Sequence, residues 1–89
     1  MSTVVGLTAE VRAAVALVCG VDADTLTPDT TLESLGADSL ARVSIADTVE
    51  AGLAAAGTTG AHGKPIRIDD ATLARFATLG EIDAYLAHA

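Results

Sequence analysis

A carboxylate and a hydroxyl are adjacent in the sequence Leu-Gly-Ala-Asp-Ser-Leu, which occupies residues 35–40. Asp38 is a preferred residue type just before a helix, because its side-chain oxygen accepts a hydrogen bond from a free backbone N–H of the first turn. Ser39 would then be the first helical residue, where free N–H groups and the helix dipole favour an anion, including a phosphate joined to that hydroxyl. Taken alone, these six residues favour an ordinary helix start over a functional site, because such caps begin many helices.

The sequence offers little support for catalysis by this chain. Cys19 ends an apolar helical pattern without a base or cation beside it in sequence, which predicts a buried structural thiol. His62 and His88 are far apart and lack metal-ligand spacing to Cys19, so no metal site is expected. The residues two before and two after Ser39 are alanines, where the nucleophile elbow of hydrolases has glycines. Only His62, in a glycine-rich loop, stays open as a base, and we predict no catalytic residues.

The composition predicts one small helical domain spanning residues 1–89. About half the residues (51%) are hydrophobic, but there is one Phe, one Tyr and no Trp, which suits packed helices better than a β-sandwich. No apolar run approaches the length needed to cross a bilayer, and the N-terminus lacks the features of a signal peptide, so a cytoplasmic, monomeric protein is expected.

The formal charge of −7 argues against a nucleic-acid partner, because the chain has no basic stripe to neutralise phosphates. Between residues 22 and 50 seven acids accompany a single base, Arg42. Such a surface would attract basic patches on other proteins, although a solvated acidic face that aids solubility is an equally good interpretation.

Hydrophobic periodicity and capping residues predict four helices. The first spans residues 8–19, with Thr8 as its cap and Gly20 as the residue that ends it. A long loop over residues 21–37 follows, and its leucines at positions 26, 32 and 35 are expected to pack against the core. The second runs from Ser39 to Ala56. A short third helix begins after Asp69 or Asp70 and ends near Phe76, and a capping box at Thr78 and Glu81 starts the last, Leu79 to Ala87. Together they predict an all-α fold, a small four-helix bundle with three main helices and one short third helix.

The second helix has two faces that differ in character. Its core stripe is formed by Ile45, Val49 and Leu53, with Ala46 beside them. Another face carries the serine followed by a valine and two acids, namely Ser39, Val43, Asp47 and Glu50. We interpret this second face as a docking surface for partners, while a lone valine between acids is also ordinary on a helix surface.

The motif and its surroundings resemble those of acyl carrier proteins, most closely the discrete bacterial polyketide type. Asp-Ser-Leu at residues 38–40 looks like the signature whose serine receives a 4′-phosphopantetheine arm from coenzyme A. Residues 27–36 look like the loop before that serine, and residues 69–71, 78–82 and 85–86 look like the family's third and fourth helices. About 70 residues take part in the resemblance, and the chain begins at Met1 and ends soon after the last helix, as expected of a discrete carrier.

The resemblance implies that Ser39 carries the arm and that the arm brings the thiol for a thioester, which Cys19 is badly placed to supply. Asp38 would cap the helix and help the phosphopantetheinyl transferase orient coenzyme A or its metal, and Leu40 would seat the motif on the bundle and touch partners. The implied function is to carry acyl or polyketide intermediates between biosynthetic enzymes, such as an acyltransferase and a ketosynthase.

Two alternatives remain open at this point. An aminoacyl or peptidyl carrier of non-ribosomal peptide synthesis would receive its cargo from an adenylating enzyme, although such carriers more often place a glycine before the serine. A helical interaction module that is never modified is the second. The sequence also departs from many fatty-acid carriers, because Ala41, Arg42 and Ser44 occupy a stretch where those carriers have acids, and the segment over residues 57–65 is longer than in compact carriers.

Overall fold

A computed structural model describes residues 7–60 and 63–88 of the chain, so His62 lies outside the described residues. Four α-helices form the fold: α1 (Ala9–Cys19), α2 (Ser39–Ala55), α3 (Asp70–Arg75) and α4 (Leu79–Ala87). Within the described ranges there is no β-strand. The predicted small all-α bundle with a short third helix is confirmed. No helix of this part of the chain is both long and apolar enough to cross a membrane.

The bundle encloses a core drawn from all four helices and from the segments between them. In α2 the predicted stripe of Ile45, Val49 and Leu53 is buried, and in α4 Leu79 and Ile82 are nearly inaccessible. Two isoleucines of the chain segment before α3, Ile66 and Ile68, are buried as well although they belong to no helix. The remaining buried hydrophobic residues are Leu7, Val11, Ala14, Val15, Leu26, Leu32, Ala46, Leu73 and Phe76.

The two ends of α1 differ in how well the sequence predicts them. Gly20 ends the helix in the left-handed conformation (φ 68°), which glycine adopts without strain. Thr8 precedes the helix but makes no side-chain cap; its N–H and Oγ1–H instead donate to the carboxylate of Asp83 on α4, at 3.0 and 2.9 Å. The prediction that the Thr8 side chain caps α1 is therefore wrong: its hydroxyl is directed at the Asp83 carboxylate, to which it donates, and accepts no N–H of the first turn.

The long loop between α1 and α2 is ordered by contacts at both of its ends. Two short 3₁₀ turns, Ala23–Thr25 and Glu33–Leu35, interrupt it, and its leucines 26 and 32 are buried while Leu35 packs against the core, as predicted. Near α1, the Arg12 guanidinium donates to the carbonyl oxygens of Ala23 and Leu26, at 2.8 and 3.1 Å. The α1 helix thus holds the first half of the loop in place.

The second half of the loop is joined to the start of α4 by backbone hydrogen bonds. The Leu32 N–H donates to the Ala77 carbonyl at 2.9 Å, and the Gly80 N–H donates to the Pro28 carbonyl at 2.9 Å. A Cβ on Gly80 would lie 2.9 Å from that same Pro28 oxygen, so the close approach requires glycine. These contacts fix the loop immediately before α2, where the Asp-Ser-Leu motif lies.

Candidate functional site

The start of α2 is built by residues on either side of Asp38. Gly36 ends the preceding 3₁₀ turn in the left-handed conformation (φ 71°), which turns the chain into the helix. Asp38 is extended, and its Oδ1 accepts the Ala41 N–H at 2.8 Å while its carbonyl accepts the Arg42 N–H at 2.9 Å. The predicted cap is confirmed, and Ser39 is the first residue of α2.

The Ser39 side chain is exposed and available for reaction. No described residue forms a hydrogen bond with its hydroxyl, and none accepts the backbone N–H of Ser39 or Leu40. Free N–H groups at a helix start stabilise a bound anion, so a phosphodiester on Ser39 fits this position. Leu40, by contrast, is 75% exposed, so the expectation that it seats the motif on the bundle is wrong. The leucine that fills the core in this region is Leu32, which is fully buried.

The other described serines differ from Ser39 in exposure or in hydrogen bonding. The Ser34 hydroxyl donates to the Thr31 carbonyl at 2.8 Å. Ser44 is half-buried in the interior of α2, where backbone N–H groups are used within the helix. Among the serines that the structure describes, Ser39 alone combines an exposed hydroxyl with the first position of a helix.

A groove of about 270 Å³ runs beside Ser39 between α2 and α3. Its α2 side is formed by Ser39, Arg42 and Val43, and its α3 side by Asp70, Leu73 and Ala74. The α3 side is held by Asp69, whose Oδ1 accepts the Thr72 N–H at 2.7 Å; this bond lowers the pKa of the Asp69 carboxyl. The groove therefore has apolar walls and charged side chains of both signs next to the Ser39 hydroxyl.

Arg42 joins α2 to the far end of α3. Its Nη1 donates to the carbonyl oxygens of Phe76 and Leu73, at 2.7 and 3.3 Å. These carbonyls lie at the C-terminal end of α3, where the Leu73 oxygen also accepts the Phe76 N–H at 3.3 Å, so the guanidinium caps α3 from outside. Sequence reasoning missed this role, since the two acceptors lie 31 and 34 residues away from Arg42 and no local pattern marks them.

The residues expected on the docking surface are separated by the structure. Val43 is 39% exposed and Asp47 is exposed, as that surface requires. The Glu50 side chain is only 18% exposed: its Oε2 accepts the Ile68 N–H at 2.6 Å, and its Oε1 lies 3.6 Å from Nε of Arg67. Glu50 is thus bound to the segment that leads into α3, apart from Val43 and Asp47.

The remaining candidate side chains form no second site in the described part of the chain. Cys19 is partly buried at the end of α1, and burial raises the pKa of its thiol. His88 is exposed at the end of α4. Within residues 7–60 and 63–88, no three His, Cys, Asp or Glu side chains are grouped so that they could hold a metal ion.

Comparisons with known proteins identify one family. No curated protein and no solved structure matches the sequence significantly. A family model described as a phosphopantetheine attachment site matches residues 9–86, which is most of the chain and includes α2 with the Asp-Ser-Leu motif. Domains of this family are carriers that work with a phosphopantetheinyl transferase and with biosynthetic enzymes. The chain therefore belongs to the phosphopantetheine-attachment carrier family, whose domains bear a covalent 4′-phosphopantetheine arm on a serine.

Proposed function

We propose that this chain is an acyl carrier protein whose 4′-phosphopantetheine arm is joined to Ser39. It carries acyl or polyketide intermediates as thioesters and presents them to separate enzymes of a biosynthetic pathway. The observation that carries the proposal is the exposed Ser39 hydroxyl at the capped start of α2, within the region that the family model matches.

The chain's own residues bind and orient the arm rather than react with the cargo. The Asp38 carboxylate holds the first turn of α2 in place, and the free N–H groups of Ser39 and Leu40 favour the negative phosphodiester. When bound, the arm supplies the thiol on which a thioester forms. Cys19 fits this role poorly, because it lies at the end of α1, partly buried, with a raised pKa.

Modification at Ser39 is tested by intact mass after incubation with coenzyme A and a promiscuous phosphopantetheinyl transferase. The wild-type chain should gain the mass of one arm, and Ser39→Ala should gain none. Ser44→Ala is the matched control, since it removes a hydroxyl from the same helix, and it should gain the arm normally. An unmodified wild-type chain, or an equal gain in Ser39→Ala, would contradict the proposal and favour the unmodified interaction module.

The nature of the cargo follows from a separate argument. Aspartate directly before the serine supports acyl rather than aminoacyl or peptidyl cargo, and we propose the polyketide type. The holo protein should accept malonyl groups from an acyltransferase and present them, still bound as thioesters, to a ketosynthase. Loading by an adenylating enzyme with an amino acid and ATP, without loading by the acyltransferase, would instead identify an aminoacyl or peptidyl carrier.

Partner enzymes are proposed to dock on Leu40, Val43 and Asp47, which we call the docking face. The two exposed apolar side chains lie within one turn of Ser39, and the acid lies one turn further along α2. Val43→Asp should slow transfer to partners without loss of folding. Leu17→Asp provides the matched control, because Leu17 is an apolar side chain on α1 that is 75% exposed, and it should leave transfer unchanged. Equal transfer rates for both variants would argue against the docking face.

A further inference from the structure

The groove between α2 and α3 begins at the proposed attachment site itself. Ser39 lines it together with Arg42, and these residues are three apart on α2, a spacing at which helical side chains are neighbours. A group joined to the Ser39 hydroxyl is therefore attached at a residue that lines this groove, one helical turn from Arg42. If the proposed attachment is correct, that first group is a phosphodiester, which carries one negative charge.

Arg42 is the cation best placed to meet that charge. It is the single base among residues 22–50, where the acids number seven. Only its Nη1 is committed to the α3 carbonyls, and no described residue accepts a hydrogen bond from its Nε or Nη2. A guanidinium held in place by two hydrogen bonds has already lost much of its freedom, so a further bond to a phosphate oxygen costs little extra ordering.

The Asp70 carboxylate and the apolar walls of the groove also favour a phosphodiester placed beside Arg42. Asp70 lies at the start of α3 on the opposite side, and its carboxylate repels a phosphodiester toward Arg42. Beyond the charged residues the groove is lined by Val43, Leu73 and Ala74, which offer apolar contact to the carbon atoms that follow the phosphate. The groove thus complements an anion followed by an apolar segment.

We propose that Arg42 is a positioning residue for the arm: its free N–H groups bind the phosphodiester on Ser39 while its Nη1 remains on the α3 carbonyls. The attached end of the arm is then held on the α3 side of α2. Because Arg42 contacts both the phosphodiester and the α3 carbonyls, attachment of the arm also affects the position of α3. This inference rests on the proposed attachment at Ser39 and extends it.

The test uses phosphorus NMR of the holo protein, in which the arm supplies the one phosphorus atom. In the wild type the resonance should be broad, because the phosphodiester tumbles with the protein, and in Arg42→Gln it should narrow and move toward that of a free phosphodiester. Arg42→Lys, which keeps the charge without the planar fork, should fall between the two. Arg75→Gln removes an exposed arginine from α3 outside the groove and should match the wild type.

A second measurement needs no variant and remains valid if Arg42→Gln does not fold. On conversion of the apo to the holo wild type, the side-chain Nε–H of Arg42 and the amides of residues 73–76 should shift. An unchanged phosphorus line in folded Arg42→Gln, or unmoved Arg42 Nε–H and α3 amides in the wild type, would overturn the inference while leaving attachment intact. The absence of any arm on Ser39 would overturn the proposed function instead.

Discussion

Glu50 provides the sharpest test of the structure. The sequence places it on an exposed docking surface, whereas the structure has its carboxylate bound to the segment before α3. As an exposed acid of a docking surface it could be replaced by lysine without loss of folding. The structure instead has its carboxylate accept the N–H of Ile68, a residue that is buried and only 8% exposed. Replacing Glu50 should therefore destabilise the fold before it affects any partner.

The magnitude follows from the two contacts. A hydrogen bond to a charged group contributes about 1.5–3 kcal/mol. The ion pair with Arg67 adds at most about 1 kcal/mol, because the Arg67 side chain is 79% exposed and solvent screens the pair. We expect Glu50→Ala to lower the free energy of unfolding by about 2 kcal/mol, which lowers the Tm of a domain this small by about 8–16 °C. Glu50→Lys should lose at least as much, since it places a second cation beside Arg67.

Urea and thermal unfolding followed by far-UV circular dichroism measure this loss. Glu50→Gln keeps an acceptor oxygen for the Ile68 N–H and should lose less than Glu50→Ala. The control is Asp47→Ala, which removes an exposed acid from the same helix. Amide exchange at Ile68 should accelerate in Glu50→Ala and remain slow in Asp47→Ala. If Glu50→Ala unfolds at the wild-type midpoint with Ile68 still protected, the assignment of Glu50 to the fold is refuted.

Three further predictions concern the packing and the helix ends. Gly80→Ala places a methyl group 2.9 Å from the Pro28 backbone oxygen and should lower the free energy of unfolding in urea by about 1–3 kcal/mol. Gly52→Ala meets only an ordinary side-chain contact at 3.5 Å and should raise that free energy by about 0.5–1 kcal/mol. Ile45→Ala, at a side chain 1% exposed, should cost about 2–5 kcal/mol in the same assay, and wild-type stability would contradict the packing of α2. Backbone hydrogen bonds lower the pKa values of Asp69 and Glu81, so the stability that these caps contribute is present above the unfolded-state pKa values and is lost as the pH falls below about 4. Unfolding midpoints measured against pH should therefore fall less steeply in Glu81→Gln than in the wild type; equal slopes would contradict the capping role.

The sequence predicts this fold well where the structure depends on local patterns. Asp38 caps α2, Gly20 ends α1 and the Thr78–Glu81 capping box starts α4, and each of these devices operates over three or four residues. The helix start at Ser39 can likewise be predicted, because it depends only on residues that are adjacent in sequence. This is why the helix bounds agree with the sequence-based expectations to within one or two residues.

The missed hydrogen bonds all join residues that are distant in sequence. Asp83 accepts hydrogen bonds from a residue 75 positions away, Glu50 from one 18 positions away, and Arg42 donates across more than 30. Periodicity assigns each of these side chains to a helix but cannot say which neighbouring backbone it reaches. Polar residues at the margin of a helical face are therefore the ones whose roles the sequence leaves open.

These internal hydrogen bonds also fix where the positive charges lie, which affects how the acidic surface attracts partner proteins. Of the five basic residues, Arg12 and Arg42 donate to backbone carbonyls and Arg67 lies beside Glu50. Donation to neutral carbonyls does not cancel an arginine's charge, so Arg42 remains a cation beside Ser39 in the groove between α2 and α3. The base that interrupts the expected acidic stretch after the motif, Arg42, reaches toward α3 rather than along the docking face. We therefore expect partner surfaces that are basic and have an apolar recess for Leu40 and Val43 to complement this carrier best.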